Sequence, residues 1–382
     1  MKITRWISSL AGLLAMTVAA CSSTSSSEID NSNAGGPESD AAVDDEKCGP
    51  TTCEPLPDAA GIFPDAGIEQ CTDPMPRTFE IIARADELGE DLRFVTLRDR
   101  LVVAEDTAGM PYVFAFPEIL QGGLPPMTPV PFDPPPPEGM RVKAIVGSIE
   151  KGLAILCDDG RCVVHRTEKE GEGVVFRPLT VSLPNDGRGI EGAFLLGDYD
   201  FCVFGDGLHC VHEGEVETLA DGAPGKLLAV SRNGEWLVGE KGRAIYLRDQ
   251  TEPTTKSTSS CAREVTTGLD VDLYAVDEVT DELALAVGAN GHVVALTPCG
   301  ATASQNADID YSDIVIGLSG LDAYVTRTGQ RVKRSDHGFC IEGLPSEIPS
   351  KYFVVRCNAS TNVWILQADA LWGETRCVGG PP

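Results

Sequence analysis

Thirteen cysteines, five histidines and a surplus of carboxylates are the residues of this chain that could do chemistry. Cys157 and Cys162 enclose Asp158, Asp159, Gly160 and Arg161. A two-residue turn at Asp159 and Gly160 sets 158 opposite 161 and so sets Cys157 opposite Cys162. Cys202 and Cys210 enclose a Gly205, Asp206, Gly207 loop, which sets 204 opposite 208 and 202 opposite 210. Cross-strand neighbours hold their Cβ atoms near disulfide distance, so both pairs are expected as disulfides. The alternative, thiolates on a metal, lacks a second matching pair to complete the ligand set. Among the histidines, His209 and His212 stand three apart, which in a strand puts them on opposite faces and rules out joint chelation. His292 follows the turn residue Gly291 and is expected at the surface; His165 and His337 have no partner in the sequence.

Two acidic groupings offer hard oxygen ligands: Asp270 and Asp272 with Asp277 and Glu278, and Asp308 and Asp310 with Asp313. Calcium is chemically possible there, yet neither has the alternating acidic loop of a dedicated site. In a chain with 58 acids they are expected to be solvated surface. Gly317, Leu318, Ser319 and Gly320 do not form a nucleophile elbow. The stretch from Gly222 to Lys226 lacks the spacing of a phosphate loop and the hydroxyl residue after its lysine. No catalytic residue, metal or cofactor is therefore expected.

The elements that must position these residues are short. Residues 227–247 read as strand, turn, strand, tight glycine turn, strand, with apolar pieces too short for helices. Aligned on the turn glycine, equivalent hairpins centre on Gly160, Gly207, Gly242, Gly291 and Gly329, spaced 47, 35, 49 and 38 residues apart. Weaker copies lie around Gly109 and Ala370. Seven units of this period, each of about four antiparallel strands, predict an all-β fold, a β-propeller of seven blades, since a single blade cannot bury both of its faces. An irregular β-sandwich rich in hairpins is the alternative. Two units carry V-G-x-x-G-x-x-apolar, from Val238 to Ile245 and from Val287 to Val294. This pattern resembles the propellers of photosystem II assembly factors and sialidase-like repeat proteins, and the resemblance implies a propeller and, by analogy, a part in assembling another complex. The sialidase Asp box is not met: Ser231, Arg232, Asn233, Gly234, Glu235 and Trp236 put Asn in place of Asp, with shorter offsets, so glycosidase chemistry is not implied.

The chain opens on Lys2 and Arg5, then a short apolar run to Ala20 and Cys21, the layout of a secretory signal too short to be a permanent span. Val18, Ala19, Ala20 and Cys21 resemble the bacterial lipobox. That resemblance implies removal of residues 1–20 and acylation of Cys21, with two or three chains (palmitate among them) anchoring stably. Ser22 in place of an Asp points to the outer membrane. Residues 21–75 are expected as the acylated Cys and a disordered acidic tether: from 22 to 77 there are twelve acidic and two basic residues. The propeller is expected over 76–382, with a proline-rich surface loop at 121–140 holding eight prolines. The formal charge of −28 excludes nucleic acid as a partner.

Twelve cysteines other than Cys21 suit an oxidising compartment. Of the eight outside the two hairpins, Cys48, Cys53, Cys71, Cys261, Cys299, Cys340, Cys357 and Cys377, Cys71 is expected to tie the first strand to the last blade near Cys357 or Cys377. The function read from these features is a lipid-anchored, monomeric binding or scaffold module of the cell envelope for an unknown protein or glycan. Its candidate contacts lie on equivalent turns: Asp158, Asp159 and Arg161; Asp206; Lys241 and Arg243; Asn290 and His292. Two alternatives stay open, a carbohydrate-active hydrolase or lyase with its site at the axis, and an envelope-complex assembly factor.

Overall fold

The protein is described by a computed structural model covering residues 69–70, 79–98, 101–115, 127–196, 199–248, 261–280, 283–305, 311–317, 320–326, 330–335, 338–343, 351–357 and 360–374. The chain divides into two units, Met1–Val43 and Asp44–Pro382, and all described residues belong to the second. Among them the strands form seven sheets, six of four strands and one of five. The first sheet runs Arg93–Arg98, Leu101–Glu105, Pro111–Ala115, Thr128–Val130, and the second Arg141–Gly147, Gly152–Cys157, Cys162–Glu170, Gly173–Leu179. The third runs Ile190–Leu196, Tyr199–Gly205, Leu208–His212, Glu215–Ala220, and the fourth Leu227–Val230, Trp236–Gly239, Ala244–Arg248, Cys261–Glu264. The fifth is Leu273–Thr280, Leu283–Gly288, His292–Thr297, Gly300–Gln305, and the sixth Tyr311–Gly317, Gly320–Thr326, Gln330–Ser335, Gly338–Gly343. The seventh is Lys351–Cys357, Ser360–Leu366, Ala370–Glu374 and, from the other end of the chain, Phe79–Arg84.

Apart from Glu69–Gln70 and Phe79–Arg84, which join from the start of the chain, the strands of each sheet form an antiparallel meander, and neighbours share their cores. Leu101, Val103, Ile145, Leu156 and Phe176 join the first sheet to the second, and Val146, Ile155, Phe201 and Val203 the second to the third. Phe204, Leu208, Leu237 and Ile245 join the third to the fourth; Trp236, Val238, Ala284 and Val294 join the fourth to the fifth. Phe94, Val102, Leu366 and Leu371 join the first to the seventh. Both faces of a middle strand are thus covered, which is why Leu101–Glu105 and Trp236–Gly239 are buried at every position. Consecutive sheets packing face to face around a common axis make a β-propeller, and the two stacked layers of a sandwich are absent among the described residues.

The seventh sheet closes by hydrogen bonds: Phe79–Arg84 lies antiparallel to Ala370–Glu374, with Ile81 opposite Trp372. Just beyond it, Ala85 N–H donates to the Asp369 carbonyl at 2.9 Å and Phe94 N–H to that of Ala368 at 2.8 Å. The expected covalent latch from Cys71, like any pairing of Cys48, Cys53 or Cys377, lies outside the described residues. Both hairpin disulfides are present, Cys157 with Cys162 and Cys202 with Cys210, in the registers the turns dictate. Cys299 is also disulfide-bonded.

Two segments differ from expectation. Glu69 and Gln70, assigned to the tether, run parallel to Cys340 and Ile341 as a fifth strand of the sixth sheet. Within the proline-rich segment, residues 131–133 are anchored rather than lying free over the surface: Phe176 N–H donates to the Pro131 carbonyl (2.7 Å) and Asp133 N–H to that of Phe176 (2.9 Å). Proline has no N–H to give, but its carbonyl serves the outer edge of the second sheet. Phe132 is buried, stacked on Phe176 and meeting His165 edge to face at 5.2 Å.

His165 is 3% exposed and its Nδ1 has no hydrogen-bond partner. Burial holds its pKa below the ordinary value, and burial does the same to His209 against an opposing pull from Asp221. The unfolded imidazole takes a proton near pH 6.5 that the folded one refuses, so these groups leave stability unaffected above about that pH. Stability should then fall as the pH drops from about 6.5 toward the lower folded values. Urea midpoints at neutral and mildly acid pH should show this drop in the native chain and a smaller one in His165→Phe. An equal drop in both would remove His165 from the explanation.

Candidate functional site

Within each of the first five sheets the first strand in chain order lies innermost. The first strands of five consecutive sheets line one open cavity of about 350 Å³, with Thr96 and Arg98, Lys143, Glu191, Leu228 and Tyr274 on its wall. This cavity is the axial channel of the ring.

The innermost strands share a feature that the sequence does not announce. In each of the first six sheets, the pairing of first and second strands skips one residue near the start: Val95, Lys143, Glu191, Leu228, Tyr274 and Ser312. A β-bulge leaves its extra residue unpaired and turns its side chain. Four of the six, Lys143, Glu191, Leu228 and Tyr274, line the cavity. In the fourth and fifth sheets the glycines of the repeat explain the bulge. Gly239 and Gly288 sit opposite Leu227 and Leu273, at the bulge, and a Cβ on either would strike the Lys226 or the Asp272 carbonyl. The residue after each glycine then bonds that same carbonyl, Glu240 N–H to Lys226 (2.8 Å) and Ala289 N–H to Asp272 (2.9 Å). In the third sheet Asp206 N–H makes the equivalent bond to Gly189 (3.0 Å). The second glycine of the repeat, Gly242 or Gly291, adopts φ near +69° to close the turn.

Charge at the mouth is organised around one carboxylate. Glu191 accepts from Lys143 Nζ at 3.2 Å and from Lys226 Nζ at 3.3 Å, and Lys226 also reaches Asp206 at 3.5 Å. The Glu191 hydrogen bond, then the Asp206 and Glu191 charges, raise the Lys226 pKa. A lysine of the second sheet and one just ahead of the fourth are therefore both held to a carboxylate of the third sheet. Among the described residues of the wall, Glu191 is the one carboxylate, whereas the usual glycoside hydrolase mechanism needs two facing each other.

The turns expected to carry contacts all join second and third strands, so alternation along a meander places them at the same end of the ring as the bulges. Asp158, Asp159, Arg161, Asp206, Lys241 and Asn290 are exposed there, and His292 is half-buried with Nδ1 2.9 Å from the Ala289 carbonyl oxygen. Asp158 serves its own turn, accepting from Gly160 N–H (2.7 Å) and Arg161 N–H (2.9 Å), which lowers its pKa. Asp206 joins the Lys226 and Glu191 cluster, and Arg161 Nε lies 3.9 Å from Asp158 Oδ2 within their own turn.

Arg243 departs from the expectation of a surface contact. It is 3% exposed, and its guanidinium donates to Glu264 (2.8 Å), to the Gly225 carbonyl (2.6 Å) and to the Asp221 carbonyl. A buried guanidinium needs its donors filled, and a loop carbonyl from the preceding connection fills them. The first acidic grouping is solvated surface at Asp270 but not throughout: Asp272 accepts from Lys241 N–H (3.2 Å), while Asp277, 5% exposed, pairs with Arg232 at 3.0 Å. Asp272 stands just before the strand Leu273–Thr280 and Asp277 in its middle, about 16 Å apart at the usual rise. No cluster of metal-binding side chains occurs among the described residues. The second grouping and His337 lie outside the described side chains. Ser231 accepts from Trp236 N–H at 3.0 Å, so the near-Asp-box segment is a turn staple.

Lys143, Glu191, Leu228 and Tyr274 were missed because a bulge has no composition of its own. For Leu228 and Tyr274 the signal was the first glycine of V-G-x-x-G, which marks where another backbone comes too close for a side chain.

No family model matches the sequence, and no curated protein matches it. Solved structures match in fold. YCF48 bound to D1 peptide superposes with a TM-score of 0.53 at 10% identity, covering 83% of this chain and 100% of that one. Chaetomium thermophilum Sqt1 bound to the N-terminus of the ribosomal protein L10 gives 0.50 at 13% identity, over 75% of this chain and 86% of that one. At such identities the likeness concerns the fold alone.

Proposed function

We propose that the protein is a binding module of the bacterial envelope, acylated at Cys21, held off the membrane by the acidic stretch that precedes Glu69–Gln70, and built as a ring of seven blades. It holds a segment of another protein at the axial mouth on the turn-bearing face. The observation that carries this reading is the set of four bulged residues lining an open cavity of about 350 Å³, where Lys143, Glu191 and Tyr274 stand with Arg98 and Thr96 among apolar residues. Few, fixed polar groups in a concave apolar site are what orients a bound ligand. That YCF48 and Sqt1 are propellers solved with a segment of another protein supports choosing a protein over a glycan. Among its described residues the wall does not supply the paired carboxylates that a hydrolase reading calls for.

The test is capture of partners from envelope extract by the acylated chain, by Lys143→Glu combined with Tyr274→Ala, and by a chain with the 158–161 and 240–243 turns exchanged for Gly-Ser. The double variant should lose at least about tenfold in captured partner, since it removes an orienting contact and reverses a charge. Capture undiminished by the double variant would end this reading. In the same preparation, mass spectrometry should find Cys21 acylated; an unmodified Cys21 would remove the anchor.

A further inference from the structure

The outer edge of a sheet is where another strand can add, and proteins guard such edges with cover, charge or proline. Among the described residues this ring guards six of its seven. Residues 131–133 cover the second sheet and Glu69–Gln70 covers the sixth. The first sheet ends on a strand containing Pro129, and the third on Glu215–Ala220 with Glu215 and Glu217. The fourth ends on Cys261–Glu264 with Arg263 and Glu264, and the seventh on Phe79–Arg84 with Glu80 and Arg84. The fifth sheet ends on Gly300–Gln305, which reads Gly-Ala-Thr-Ala-Ser-Gln, with no charge, no proline and no strand beyond it among the described residues. Its inner side pairs with His292–Thr297 over the full length, and Ala303 and Gln305 are exposed.

We propose that this strand is a docking edge for a second copy of the chain, the two strands running antiparallel about a twofold axis. That symmetry sets Gly300 opposite Gln305, Ala301 opposite Ser304 and Thr302 opposite Ala303, so small neutral residues face one another. The same pairing at Glu215–Ala220 would crowd four glutamates together, a directly unfavourable arrangement. A self-paired interface is the commonest route to a dimer. Six residues of edge cover little area, so the dimer is weak and reversible. Two bodies each carrying −28 also repel, and salt shortens that repulsion to roughly 8 Å at physiological strength. The dimer therefore tightens with salt, opposite to one held by ion pairs. The single copy expected from the sequence then describes dilute protein at low salt.

Sedimentation equilibrium of the whole chain, from micromolar to near-millimolar concentration at low and high salt, tests this together with Ala303→Lys, Ala303→Ser and hydrogen exchange of residues 300–305. The expected result is a concentration-dependent dimer favoured by salt, weakened about fivefold or more by Ala303→Lys and little changed by Ala303→Ser. The outward-facing amides of 300–305, those not bonded to His292–Thr297, should exchange slowly in the dimer only. A monomer throughout, or a dimer indifferent to Ala303→Lys, overturns the proposal. Slow exchange of these amides in the monomer would also overturn it, because a segment of the same chain would then hold the edge.

Discussion

Removing the chain up to Arg84 should leave a protein that no longer unfolds in one cooperative step and that binds hydrophobic dye before it is heated. The strand Phe79–Arg84 is the outer strand of the seventh sheet, and the chain reaches it from the far end of the sequence. With it goes Ala83, buried against Phe94, Leu97, Leu366 and Leu371 where the first and seventh sheets meet. A ring opened at one joint exposes two apolar faces together with a bare strand edge, and the loss should exceed about 4 kcal/mol, the range reserved for disrupted cores and networks. Ile81→Pro attacks the same ladder at full length, because proline removes a donor and is tolerated poorly inside a sheet. Urea titration followed by fluorescence checks both variants. A cooperative transition at the native midpoint in either would mean that closure rests elsewhere.

Trp236→Ala should cost about 3–5 kcal/mol, the usual toll for truncating a fully buried aromatic. Trp236 has no exposed surface, lies 4.8 Å from the Tyr246 ring between centroids, and packs with Val238, Leu273, Ala284 and Val294 across the fourth and fifth sheets. Its backbone is also tied on both sides of the turn, N–H to Ser231 Oγ and carbonyl to Ser231 N–H. The indole N–H has no partner, so Trp236→Phe, which keeps the ring and drops the orphan donor, should cost much less than Trp236→Ala. Thermal unfolding of the two variants separates the explanations. Equal losses would assign the effect to the indole nitrogen in place of the buried area.

Much of the fold could be read in advance because hairpins are local. The Asp159 and Gly160 turn dictates that Cys157 faces Cys162, and the Gly205, Asp206, Gly207 loop dictates that Cys202 faces Cys210, with no information needed from elsewhere in the chain. Non-local pairings resisted such reading. Nothing around Phe79 says that it will meet Glu374, and nothing around Glu69 points to Cys340, since a strand edge accepts many sequences. Arg243 illustrates a third case. Its position after a turn glycine predicts exposure, but the carbonyls of Asp221 and Gly225, from the connection between neighbouring sheets, converge on that spot and draw the guanidinium inside. Asp277 follows the same logic, placed in an acidic run yet buried by Arg232 from the preceding sheet. The candidate site was the least legible element. Lys143, Glu191 and Tyr274 come from three separate strands, and what aims them inward is a break in pairing, which composition and periodicity do not record.

The most direct measurement is photo-crosslinking in the envelope from a benzophenone amino acid placed at position 274, on the axial wall, and in parallel at Tyr112, exposed in the first sheet. A discrete adduct from position 274, traced by mass spectrometry to one segment of one other protein and missing from position 112, is the predicted result. Adducts of equal yield from both positions, or none from position 274, would contradict a partner held at the axis.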